Sequence, residues 1–215
     1  MPQRKNKAKN SFDLVIKLGL LFVALAVCGG VLVFGPVIVK EIGFLVSKPS
    51  VKTVVTASES DSKALEDVIV AVDKEFAVIV PKINANSKVV KDVDPYSSKV
   101  YQQELTKGVA HAKGTVLPGE VGNSFYFAHS SDNFYNANRY NSVFYLLRKM
   151  EPGDSFFLVY EGEIYEYKVL EVKIVNGESV EYLEGSTDKK LATLMTCWPP
   201  GTTIERLIVL GELIE

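Results

Sequence analysis

The chain has 215 residues, 47% hydrophobic and 23% charged, which excludes a wholly disordered polypeptide and leaves room for one domain plus an appendage. Two cysteines, Cys28 and Cys197, exclude a disulfide scaffold and a four-cysteine zinc site, and two histidines restrict any mixed metal site. Of 24 basic and 26 acidic residues, positions 1–17 take five and one, so the remainder holds 19 and 25. A body that acidic repels polyanions, and no nucleic acid is expected as a partner.

The first predicted element is Leu18–Val39, LGLLFVALAVCGGVLVFGPVIV, 22 residues without a charge. At 1.5 Å per residue a helix of that length covers about 33 Å, enough for the hydrocarbon core of a bilayer. The rival is a cleaved signal peptide, whose apolar region usually runs about 7–15 residues. Here apolar residues continue past Gly29 and Gly30, which favours an uncleaved anchor. Five basic residues precede the span, so the positive-inside rule puts the N-terminus in the cytoplasm and the rest outside. Four segments follow: a basic cytoplasmic tail at 1–17, a transmembrane anchor at 18–39, an extracytoplasmic stem at 40–72 and a folded domain at 73–215. The stem is rich in Ser, Thr and Lys, with a helical stretch expected between Ser62 and Val72.

Short β-like runs fill the domain: Phe76–Val80, Ser124–Ala128, Phe156–Tyr160, Ile164–Val175, Leu191–Thr196 and Arg206–Ile214. Turn signals separate them, among them Pro118-Gly119-Glu120, Glu161-Gly162-Glu163 and Trp198-Pro199-Pro200-Gly201. Ser98–Lys107 and Val143–Met150 read as helical interruptions. Seven or eight strands with so few helices predict a mostly β fold, a closed barrel or a sandwich.

Cys197 ends an apolar strand immediately before a turn forced by two prolines and a glycine, a place where a side chain meets solvent on a fixed backbone. From position alone it reads equally well as a nucleophile or as a buried structural cysteine. A cysteine nucleophile needs an imidazole to move its proton, and either His129 or His111 could serve. Arg206 lies nine positions after Cys197 and could stabilise an oxyanion or form an ordinary surface ion pair.

Three blocks in order then bear on these alternatives. Val80-Pro81-Lys82-Ile83-Asn84, the passage from Gly108 to Asn123 leading to Ala128-His129, and Thr193-Leu194-Met195-Thr196-Cys197 with Arg206 behind it resemble the sortase family of cysteine transpeptidases. The resemblance runs from about Phe76 to Ile214 and implies a sortase-like barrel of about eight strands. It implies Cys197 as nucleophile, His129 as acid/base, Arg206 as electrophilic stabiliser and a structural role for His111. Thr196, Trp198 and Ala128 are implied at the substrate pocket; Ala128 stands where the family commonly has glycine, and Trp198 brings an aromatic body to the rim. The implied reaction is cleavage of a Leu-Pro-x-Thr-Gly-like sorting signal through a thioester. The implied partners are exported proteins bearing that signal and an amine acceptor, such as a peptidoglycan precursor or a pilin lysine. No cofactor is implied; calcium at Glu178, Glu181, Glu184 and Asp188 is chemically conceivable, but a solvated acidic loop is the expectation. The walls of the site are expected from 176–190 and 198–205. Asp94-Pro95-Tyr96 resembles the lid tripeptide of pilin-polymerising members yet follows the first strand, so the sortase class stays open. Two other readings are a surface hydrolase on the same scaffold and a tethered peptide-binding module.

Overall fold

A computed structural model describes residues 3–46, 53–55, 68–130, 143–178, 181–184 and 187–214. The chain divides into two units, Met1–Ser47 and Lys48–Glu215. The first is a single helix, α1 (Gln3–Val46), which contains the whole expected span. Its stretch Leu14–Leu32 is long and apolar enough to cross a membrane. Side chains such as Leu20, Phe22, Leu25 and Leu32 along it are exposed.

In the second unit, Val, Ile, Phe and Tyr dominate the runs that become strands, because branched and aromatic side chains pack well on a pleated surface. A small parallel pair, β1 (Thr53–Val55) and β2 (Val68–Val70), comes first. The helix expected between Ser62 and Val72 is not what forms at its described end. Val68-Ile69-Val70 is a strand, consistent with its unbroken β-branched run, and residues 62–67 lie outside the described residues. Eight strands follow: β3 (Phe76–Val80), β4 (Ala85–Val93), β5 (Val109–Ala112), β6 (Gly122–Phe127), β7 (Ser155–Tyr160), β8 (Glu163–Asn176), β9 (Lys190–Trp198) and β10 (Glu205–Leu213). They close into a barrel in the order β10-β8-β7-β3-β4-β5-β6-β9, with β9 pairing back to β10. The pairs β4/β5 and β6/β9 are parallel and the rest antiparallel. This is the expected closed barrel; closure leaves no open strand edge.

Helices are few. α2 (Ser98–Glu104) falls within the expected patch, and α3 (Glu181–Glu184) is a single turn in the β8–β9 connection. Val143–Met150 holds turns and a 3-10 segment at Leu147–Lys149 in place of a full helix. Pro152 and Gly153 follow closely, which leaves little length for an α-helix to propagate.

Alternation along the strands puts apolar side chains on both faces of the barrel wall. Inside the barrel, Phe76 packs edge-on to Tyr126 at 6.0 Å and lies 5.8 Å from the His111 ring. Phe156 stacks on Tyr167 at 5.4 Å. Gly211 lets the Phe156 ring approach β10, since a Cβ there would lie 2.6 Å from it. Outside, one layer covers β5 and β6: Phe125, Phe127, Ala110 and Ala112 pack with Val93 and Leu105, and Tyr101, Tyr182, Leu183 and Met195 lie against them. Another covers β3 and β7, where Ala71 and Ile69 pack on Ala77, Ile79 and Val159. Asn86 holds that strap in place, donating to the Val70 carbonyl at 2.7 Å and accepting the Val72 N–H at 3.1 Å.

Candidate active site

The antiparallel pairing of β9 with β10 sets Cys197 directly opposite Arg206. Paired residues share a face, with Cβ atoms about 5 Å apart, so the thiol and the guanidinium stem stand side by side. On the other flank, β6 runs parallel to β9 with Gly122 against Lys190 and Phe127 against Met195, a constant offset of 68 positions (190 − 122 and 195 − 127). The Ala128 N–H extends this ladder by donating to the Met195 carbonyl at 3.2 Å. His129 follows two residues after the end of β6, on the flank of β9 that carries Cys197. The end of β9 that carries Cys197 thus lies between the start of β10, which carries Arg206, and the end of β6, which leads into His129. All three are half-buried, within reach of solvent.

The residues just before them explain how this arrangement is held. Thr196 is almost fully buried, and its hydroxyl donates to the Ala128 carbonyl at 2.9 Å. One hydrogen bond therefore ties the residue before the cysteine to the residue before the histidine. Ala128, also buried, and Thr196 belong to the opposite face from Cys197 by strand alternation. Trp198 is half-buried at the end of β9. Arg206 is fixed from its own loop: Nη1 donates to the carbonyls of Thr203 and Glu205, both at 3.0 Å.

The face that carries Cys197 continues along β9 to Met195 and along β6 to Phe127, paired with each other. These apolar side chains were not singled out from the sequence, although they stand two positions before the cysteine and the histidine. Tyr182 and Leu183 of α3 pack on the same layer, so the expected wall at 176–190 does reach this face. The wall is anchored by a relay. The Thr193 hydroxyl donates to Asn123 Oδ1 at 3.0 Å, and Asn123 Nδ2 donates to the Tyr182 carbonyl at 2.7 Å. Lys173 adds its ammonium 4.9 Å from the centre of the Tyr182 ring.

His111 lies elsewhere. It is fully buried in the barrel interior; Nε2–H donates to the Val116 carbonyl at 3.0 Å and Nδ1 accepts the Asp92 N–H at 3.5 Å. Burial, the largest influence, holds its pKa below the ordinary histidine value, so the ring stays neutral and structural. Among the described residues no three His, Cys, Asp or Glu side chains come together as metal ligands.

Comparison with known proteins decides the family. Residues 78–214 match the family model described as the sortase domain. The chain belongs to the sortase family. It is 26% identical over 138 residues to sortase D of Bacillus subtilis (strain 168), covering 63% of this chain and 61% of that protein. The chain therefore spans about three fifths of that relative's length. Among solved structures it is similar to sortase C-1 from Actinomyces oris, with a TM-score of 0.56 and 26% identity over 67% of this chain and 76% of the other. It is also similar to Clostridium perfringens sortase C, solved with the C-terminal cell wall sorting motif, with a TM-score of 0.54 and 31% identity over 65% and 69% of the two chains.

Proposed function

We propose that this sortase is a membrane-anchored cysteine transpeptidase that cleaves a Leu-Pro-x-Thr-Gly-like signal and joins the acyl group to an amine. The observation that supports this reading is the register that pairs Cys197 with Arg206, with the end of β6 that leads into His129 on the other flank of β9. Cys197 gives its proton to His129 and the Sγ thiolate attacks the Thr carbonyl carbon, while Arg206 donates to the oxygen that takes the negative charge. His129 hands a proton to the departing amine, the C–N bond breaks, and a thioester remains on Cys197. An incoming amine attacks that thioester, His129 accepts its proton, the C–S bond breaks as the new amide forms, and the departing thiolate can take the proton back from His129. Thr196, Trp198 and Ala128 shape the pocket around this chemistry, the first and last from behind the sheet. Met195, Phe127, Tyr182 and Leu183 offer an apolar surface for the Leu and Pro side chains of the signal, as apolar pockets with a few polar groups usually do.

The substrates on this reading are exported proteins bearing the signal, which agrees with the sorting motif seen with the Clostridium perfringens relative. The acceptor is an amine such as a peptidoglycan precursor or a pilin lysine, and no cofactor takes part. Residues 18–39 cross the membrane once, with the N-terminus cytoplasmic and the catalytic domain, 73–215, outside. That orientation rests on the five basic residues before the span. The test is to incubate the enzyme with a Leu-Pro-Glu-Thr-Gly peptide and triglycine. A ligated Thr-glycine product is expected; hydrolysis alone at saturating triglycine would establish the hydrolase instead.

A further inference from the structure

Gly177 directly follows β8, and its backbone stays outside the left-handed region that would by itself call for glycine. What the position lacks is room. A Cβ there would lie 3.0 Å from the Ile204 carbonyl oxygen, 3.2 Å from the Thr203 carbonyl oxygen and 3.3 Å from Arg206 Nη1. Relaxed contacts to carbon start at roughly 3.5 Å, so each neighbour would have to retreat by a few tenths of an ångström. The three atoms belong to one feature. Thr203 O is an acceptor of Nη1, and the pairings of Val175 with Arg206 and Asn176 with Glu205 bring the end of β8 against that same corner.

We propose that Gly177 is a positioning residue for Arg206. Having no side chain, it lets the turn at 203–205 close over one arm of the guanidinium. Among the described residues both hydrogen bonds of Arg206 leave through Nη1. Clamping that arm fixes the plane of the fork, and the donors on Nε and Nη2 remain for the substrate oxygen beside Cys197. A methyl at 177 pushes on the clamped arm and rotates the free donors away from the oxyanion, without altering any group that reacts. The inference rests on the proposed role of Arg206.

The experiment uses full-length protein in detergent as wild type, Gly177→Ala, Arg206→Ala and the double variant, with a fluorogenic Leu-Pro-Glu-Thr-Gly peptide as probe. A small displacement of an oriented donor should lower kcat of Gly177→Ala by about tenfold while KM stays within about twofold. In the Arg206→Ala background the same substitution should cost nothing further, an outcome that a merely structural glycine would not give. In parallel, the Arg206 Nε–H resonance of 15N-labelled protein should move in Gly177→Ala. Full kcat in Gly177→Ala, or an equal loss on both backgrounds, overturns the proposal. If wild type leaves the peptide uncut, the reading of the site as a peptide-cleaving centre fails, and the resonance alone decides: unchanged in Gly177→Ala, it overturns the positioning role; displaced, it supports it.

Discussion

Thr196 and Cys197 divide β9 between its two faces, and that division sets what each can do. The cysteine faces the half-exposed site, while the threonine hydroxyl turns inward and holds the Ala128 carbonyl. Thr196→Val keeps the volume but strips that carbonyl of its donor; the expected loss is about 1–3 kcal/mol of stability. Activity should fall as well, because the chain leading into His129 loses this tether, whereas Thr196→Ser should retain both. Chemical denaturation alongside peptide cleavage checks this, and a Val variant as active as wild type would remove the tether from the account. His111 makes a different contribution. Its folded pKa lies below the unfolded value, so below about pH 6.5 the unfolded chain binds a proton that the native state refuses. Stability from this ring is therefore complete above pH 6.5 and declines on acidification, with a slope of at most about 1.4 kcal/mol per pH unit. The difference in unfolding free energy between wild type and His111→Gln should narrow from pH 7 to pH 5; parallel curves would show that the ring titrates freely.

Among the elements, α3 is too short to be stable alone and depends on what ties it down. The relay Thr193–Asn123–Tyr182 supplies that tie from the floor strands β9 and β6. Asn123→Ala should free the wall, raising KM for the peptide several-fold with little change in kcat, since Cys197 and Arg206 stay paired. An equal fall in kcat at constant KM would place Asn123 in the chemistry. The strands that the sequence made legible were the apolar ones, such as Phe76–Val80, buried at every position, and Phe156–Tyr160. Ala85–Val93 and Val109–Ala112 were not singled out. The first mixes Asn, Ser, Lys and Asp with its valines and breaks register near Asp92, which has a φ of +58°. The second is only four residues long and contains a histidine. Cys197, His129 and Arg206 stood out as candidates because local motifs carry them. Asn123 and Gly177 act across strands, through partners 59 and 70 positions away for Asn123, and no local pattern in the chain announces such contacts.

At the scale of the whole molecule, the barrel carries its own core and the strap at 68–72 belongs to it by packing. A chain beginning at Ser58 retains that strap and should be soluble, folded and active. A chain beginning at Asp73 uncovers Ala77, Ile79 and Val159 and loses the hydrogen bonds to Asn86, so it should unfold several degrees lower. Equal melting temperatures for the two would show that the strap is dispensable. The account turns most directly on whether acyl transfer passes through Cys197. Full-length protein in detergent, mixed with the Leu-Pro-Glu-Thr-Gly peptide and no acceptor, should be caught by rapid acid quench and weighed intact. The expected result is a mass increase equal to the peptide through its Thr, mapped to Cys197, removed by hydroxylamine and absent from Cys197→Ala. Cleaved peptide with no such adduct, or cleavage that persists in Cys197→Ala, would contradict it.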